Sequence, residues 1–112
     1  MSYPIKAITA TIPINTALSD ILDTGGGRVV GVIASAAWDA ATLGFLGGMD
    51  GVNMFTLDDG AAEVAEVIVA GNQLALQTNL EGAGRYIQLR SGTKALPVNQ
   101  TAERTLYVLV LP

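Results

Sequence analysis

The chain has 112 residues, half of them apolar and only 14% charged, with a net charge of −4 and neither cysteine nor histidine. That composition excludes disulfides, thiolate zinc sites, a cysteine nucleophile, and the imidazole that most often serves as general base or metal ligand near neutral pH. The balance of 10 Asp+Glu against 6 Lys+Arg argues against nucleic-acid binding by phosphate neutralisation. The length fits a single domain over 1–112, large enough to bury a core without covalent staples. Mean hydropathy is +0.43, yet the longest apolar run, Leu106–Leu111, is far short of the ~20 residues of a membrane span. Met1–Lys6 lacks the basic and apolar regions of a secretory signal. No membrane association is expected. With few charges to coat a surface, the hydrophobicity points to a core and to faces buried between subunits. An ordinary Ala- and Gly-rich domain fits the composition equally well.

In chain order, the first element is an alternating run over Ile5–Ile14, with Ile8, Ala10, Ile12 and Ile14 on one face. Pro4 and Pro13 mark it as an edge strand or an arm, because proline cannot donate to a ladder. Leu18–Leu22 reads as a weak strand or a helical turn. Arg28–Ala34 is continuously apolar, the pattern of a strand buried on both faces or central in a sheet. Ser35–Ala41 holds the only tryptophan in a stretch too short for a secure helix. Leu43 and Phe45 lead through Asp50-Gly51 to Val52–Leu57, a predicted hairpin. Asp58-Asp59-Gly60 turns into a strand over Glu63–Val69, followed by a short one at Leu74–Leu76. Arg85–Arg90 alternates cleanly, with Ile87 and Leu89 on the inner face. Arg104–Leu111 is apolar on both faces and belongs at a sheet centre or in a subunit interface. About eight or nine short strands separated by regular turns predict an all-β, two-sheet sandwich of jelly-roll or Greek-key type.

Chemistry-bearing patterns are sparse. Thr24-Gly25-Gly26-Gly27 precedes a strand and lacks the lysine and helix N-terminus of a phosphate cradle. Asp50-Gly51-Val52-Asn53 and Asp58-Asp59-Gly60 offer oxygen ligands for calcium, but lack the EF-hand spacing and are ordinary turn residues. Asp58 or Asp59 with Glu63 or Glu66 would make a glycosidase pair only across a cleft that so small a domain has little room for. Ser19 has no histidine to activate it, and Lys6 and Lys94 are placed to be exposed. No catalytic, cofactor or metal site is expected. Trp38, Tyr86 and Tyr107 are candidate sugar-stacking aromatics, with Trp38 better placed as a core plug or a subunit contact. Arg85, Arg90 and Arg104 suit either an interface or a solvated strand face.

Two segments carry a resemblance. One is Ala36-Ala37-Trp38-Asp39-Ala40-Ala41-Thr42-Leu43-Gly44-Phe45 leading to Met49-Asp50-Gly51. The other is Gly84-Arg85-Tyr86-Ile87-Gln88-Leu89-Arg90-Ser91-Gly92-Thr93 followed by Pro97-Val98-Asn99-Gln100-Thr101-Ala102-Glu103-Arg104. Over roughly residues 17 to 110 the chain resembles a family of small proteins of tailed bacteriophages and prophages, found among virion structural genes. The chain departs from that pattern at Ser35, where proline is common, and at Gly47-Gly48-Met49, which replaces a more polar turn. The resemblance implies a β-sandwich on the capsid, neck, tail or a head fibre, and brings no catalytic residues.

Together these readings lead to an expectation of a non-enzymatic virion protein, assembled in the host cytoplasm and decorating the capsid. Its partners would be the major capsid protein or other virion proteins, and further copies of itself, a trimer being one such form. Residues 1–14 could serve as an arm laid along a neighbour. The candidate interface residues are Tyr3 and Ile5 on that segment, with Trp38, Arg85 and Arg90. The alternative is a tail, neck or head-fibre component that binds a receptor or glycan.

Overall fold

The computed structural model describes residues 5–77 and 80–112. Among them nine strands form: β1 (Lys6–Ile12), β2 (Leu22–Asp23), β3 (Arg28–Ile33), β4 (Thr42–Gly48), β5 (Phe55–Thr56), β6 (Ala65–Val67), β7 (Gln73–Ala75), β8 (Tyr86–Ser91) and β9 (Arg104–Leu111). One 3-10 turn, Glu81–Ala83, precedes β8. One antiparallel sheet has the order β1-β9-β3-β7; the other runs β2-β8-β4-β5, with β6 also on β4. β5 pairs with Leu46 and Gly47, and β6 with Thr42–Gly44, so the two are one interrupted strand along the edge of β4 that β8 leaves open. Counted that way, the sheets read 1-8-3-6 and 2-7-4-5, the strand order of a jelly roll.

Side-chain alternation explains the layers. Ile87 and Leu89 of β8 and Leu43 and Phe45 of β4 are buried, facing Ala10 and Ile12 of β1, Leu106, Val108 and Val110 of β9, and Val29 and Val32 of β3. Each large apolar side chain removed from water contributes about 2 kcal/mol, and this set is the main stabilising term. β3 and β9 are central strands of their sheet, each with a neighbour on both edges, and their inward side chains alternate with less buried outward ones. Of the two forms expected for the N-terminal run, the fold has the edge strand: β1 pairs with the chain's own β9 from Lys6↔Val110 to Ile12↔Arg104. Its outer edge is partly capped. The Thr11 N–H donates to Asp20 Oδ1 (2.8 Å) and the Asp20 N–H to Thr11 O (3.1 Å).

Two predicted strands are shorter than their apolar patterns. Leu18–Leu22 is neither a continuous strand nor a helical turn: Leu18 makes a single bridge to Arg90, and β2 starts only at Leu22. The buried Ser19 hydroxyl is the reason, accepting the Leu89 N–H (2.9 Å) and donating to Asp20 O (2.7 Å). A side chain has entered the ladder. The return run Val52–Leu57 is reduced to Phe55–Thr56 because Asp50 Oδ1 accepts the N–H groups of Val52 (2.9 Å) and Asn53 (2.8 Å), holding both in the turn.

At the end of the sandwich where β8 finishes and β9 starts, a polar joint is enclosed. Gln100 is fully buried. Its Oε1 accepts the Asp39 N–H (2.9 Å) and the Arg104 Nε–H (3.2 Å); its Nε2 donates to Ser91 Oγ (2.8 Å) and Asp39 O (3.2 Å). Its backbone N–H donates to Thr16 O (3.0 Å) and its carbonyl accepts the Asn15 N–H (2.9 Å). The Asp39 carboxylate in turn accepts the Thr101 N–H (2.6 Å) and lies 3.4 Å from Arg104 Nη2. These Thr101 hydrogen bonds, with the Arg104 charge adding, hold Asp39 below the usual carboxylate range.

Two outcomes follow. Replacing Gln100 with Ala strands Ser91 Oγ, the Asp39 N–H and Arg104 Nε, and should cost at least about 2 kcal/mol in denaturant unfolding; a loss under about 0.5 kcal/mol would contradict this. Because the folded-state pKa of Asp39 is depressed, its contribution is present above the unfolded Asp value and disappears as pH falls through the folded one. Asp39→Asn should therefore be less stable than the wild type at pH 7, and the gap should narrow below about pH 4.

Candidate interaction surface

Several candidate side chains among the described residues are committed to the fold. Ser19 and Ser91 are buried in the bonds described above. Asp50, Asp58 and Asp59 accept backbone N–H groups of their own turns. Those bonds hold Asp50 and Asp59 below the usual carboxylate range. Among the described residues no three acidic side chains converge as a metal site would require.

The candidate interface residues are scattered. Tyr3 lies outside the described residues. Ile5 is exposed just before β1. Trp38 is 5% exposed and belongs to the core, its Nε1 directed at Ala41 O (3.4 Å). Its burial fits the core-plug alternative. Arg90 is likewise internal to the fold. Its guanidinium reaches across β4 to donate to Thr56 Oγ1 (3.2 Å) and sits 3.8 Å from Glu63 Oε2, clamping β5 and the approach to β6 onto β8. Arg85 stays at the surface. It grips Asp23 through two bonds of 2.9 Å and lies 5.6 Å from the Tyr86 ring centre. The Arg85 guanidinium first, then the Gly25 N–H, pull Asp23 below its ordinary range. Both side chains are about half exposed, so water screens the pair and it adds little stability. Lys6 and Lys94 are exposed, and Arg104 is buried in the joint.

Two exposed regions stand out among the described residues. The first is the end of the β4–β5 hairpin, where Met49 and Val52 are each 76% exposed and Phe55 is 67% exposed. A groove of about 390 Å³ runs between Met49, Phe55, Leu57 and Ala83, with Asp50 and Asn53 on its rim. It adjoins one of about 520 Å³ beside Arg28, Arg85 and Leu111, and Met49 and Gly84 line both. Gly47 shapes this end: a Cβ there would lie 2.2 Å from Ala83 O, so only glycine lets β4 pass the 3-10 turn. The same absence of a side chain leaves Phe55, its register partner, uncovered. That pairing of a large apolar residue with glycine exists only in the folded register, so periodicity along the chain does not show it.

The second region is the outer face of the β1-β9-β3-β7 sheet. Thr9, Tyr107, Ile33 and Gln73 form one row across it, and Ala7, Leu109, Gly31 and Ala75 the next. Thr11 and Thr105 complete a third. No strand of this sheet contains Asp or Glu. Its basic residues, Lys6, Arg28 and Arg104, are each the first of their strand; Lys6, paired with Val110, shares the inward register of β1 with Ala10 and Ile12, and Arg104 is buried. Tyr107, 45% exposed, is the one large aromatic on the face.

Comparison with known proteins yields no matching protein-family model, no matching curated protein and no matching solved structure.

Proposed function

We propose that the chain is a non-enzymatic structural protein of a tailed-bacteriophage virion, decorating the capsid and stabilising it by burying surface against neighbouring subunits. The observation that carries this reading is how the surface is divided. Serine and aspartate side chains are spent on turns and joints, while a sheet face without charge in its middle and an apolar hairpin end stand in solvent. Such surfaces suit association rather than turnover. The motif resemblance supplies the virion setting, and the jelly roll supports it, since that fold builds many viral shell proteins. It also builds lectins, so fold alone does not choose between the two.

One observation favours the second reading, a tail, neck or head-fibre protein that binds a receptor or glycan. Phe55 lies open along a groove with Asn53 on its rim, as a sugar-stacking aromatic would. The burial of Trp38 weighs against it, by removing the largest candidate platform.

The test is to mix purified protein with shells that lack it, pellet them and count bound copies. Decoration predicts hundreds of copies per particle, by order of magnitude, and a raised shell-disruption temperature. A dozen or fewer would place the protein at a neck, tail or vertex fibre instead, and no binding would contradict the virion reading.

A further inference from the structure

β1 is the longest edge strand among the described residues: β6 and β7 have three residues each, β2 and β5 two. Which of its backbone groups are already used follows from the bonds across the sheet. The Ala34 N–H donates to Asn72 O and the Leu76 N–H to Val30 O, both 3.1 Å. The even-numbered residues of β3 therefore direct their peptide groups toward β7, and Gly31 and Ile33 direct theirs toward β9. Their partners there are Leu109 and Tyr107. That leaves Leu106, Val108 and Val110 of β9 to bond Ala10, Ile8 and Lys6 of β1. By the same alternation Ala7, Thr9 and Thr11 turn N–H and C=O outward, away from β9. Thr11 shows it: its N–H donates to Asp20 Oδ1 (2.8 Å) and its carbonyl accepts the Asp20 N–H (3.1 Å). Among the described residues no hydrogen bond reaches the outward groups of Ala7 and Thr9. The edge stands open over them and is shut at Thr11.

We propose that this opening takes the β1 strand of a second copy of the same chain, antiparallel, about a two-fold axis at Ala7. The pattern of free backbone groups selects that occupant. Pairing about Ala7 sets it against the copy's Ala7, and sets Thr9 of each copy against Ile5 of the other. The two strands present their outward groups at the same spacing, so each N–H meets a carbonyl, and the symmetry satisfies both halves of the contact at once. The Asp20 cap fixes the register. An axis at Ile8 would bring Ile5 of one copy onto the capped Thr11 of the other. A longer foreign strand would have to displace Asp20 in the same way. The side chains suit the Ala7 axis. On the outer face Ile5, 55% exposed, lies beside the copy's Thr9, a β-branched pair. Ala7, at the axis, opposes only its own methyl group. On the inner face Lys6 lies opposite the copy's half-buried Ile8, so its methylene stem covers apolar surface while its charged end reaches water, and no lysine opposes lysine. Two four-stranded sheets become one. Ile5–Thr9 against its copy buries less than the ~1,000 Å² floor of specific interfaces, so the dimer is weak and reversible. The inference goes beyond the virion reading and does not depend on it.

Sedimentation equilibrium from about 10 µM to about 1 mM should show a monomer–dimer equilibrium with a midpoint inside that range. Ala7→Pro removes an N–H that the chain's own ladder does not use. The fold should persist, judged by the melting temperature, while the dissociation constant rises at least about tenfold. The chain has no cysteine, so a single introduced one reports the register. Ala7→Cys should cross-link two copies on mild oxidation, since residues opposed in a hydrogen-bonded pair lie about 5.5 Å apart, within disulfide reach. Tyr107→Cys, exposed on the face of the same sheet, should not. If Ala7→Pro does not fold, the cross-linking comparison decides. A wild type that stays monomeric throughout, a folded Ala7→Pro that dimerises undiminished, or equal cross-linking from positions 7 and 107 would overturn the assignment. A chain that dimerises this way yet binds no shell removes the virion reading and keeps this one. Shell binding by a strictly monomeric chain does the reverse.

Discussion

One glutamine closes the roll. Gln100 sits where β8 ends and β9 has not yet begun, and its fully buried amide satisfies four hydrogen-bonding groups. A buried amide has two acceptor positions and two donors, and here each is used. The result fixes Asp39 from the β3–β4 connection, Ser91 from β8 and Arg104 from β9 relative to one another, while the backbone of Gln100 holds Asn15 and Thr16. Apolar burial drives the sheets together, and the alternation of side chains restricts the register of each strand. A satisfied polar joint restricts it further, because a shift of either sheet would strand several buried groups at once.

This reframes the sequence resemblance. Trp38, Asp39, Ser91, Gln100 and Arg104 all fall within the two stretches that carry it, and the structure uses each of them in the core or the joint. What those stretches encode is how a roll of this kind is closed. Of the exposed features, Val52 and Phe55 at the hairpin end and Tyr107 lie outside them. Function is therefore to be sought in the surface, where the strands of one sheet carry no acidic residue.

Much of the fold was legible because its forces are local or periodic. The alternation around Ile87 and Leu89 placed β8, and the unbroken apolar runs of β3 and β9 marked them as central strands. What stayed hidden depends on contacts distant in sequence. Asp39 and Gln100 are 61 positions apart, and nothing in either segment announces the other. Arg90 reads as a surface strand residue, yet Thr56 and Glu63 draw it inward. Ser19 and Asp50 shortened their strands by hydrogen-bonding backbone that periodicity assigned to a ladder. The interaction surface was least legible, because an uncharged sheet face exists only once four strands distant in sequence are laid side by side.

The central claim is that the Gln100 joint is part of the cooperative core and not a loop contact. Native-state hydrogen exchange of the Asp39 and Gln100 amides tests it most directly, since the first donates to the Gln100 side chain and the second to Thr16 O. If the joint closes the roll, both amides should exchange only through global unfolding, with the same free energy and denaturant dependence as the β9 amides. Exchange at loop-like rates while β9 remains protected would contradict the claim.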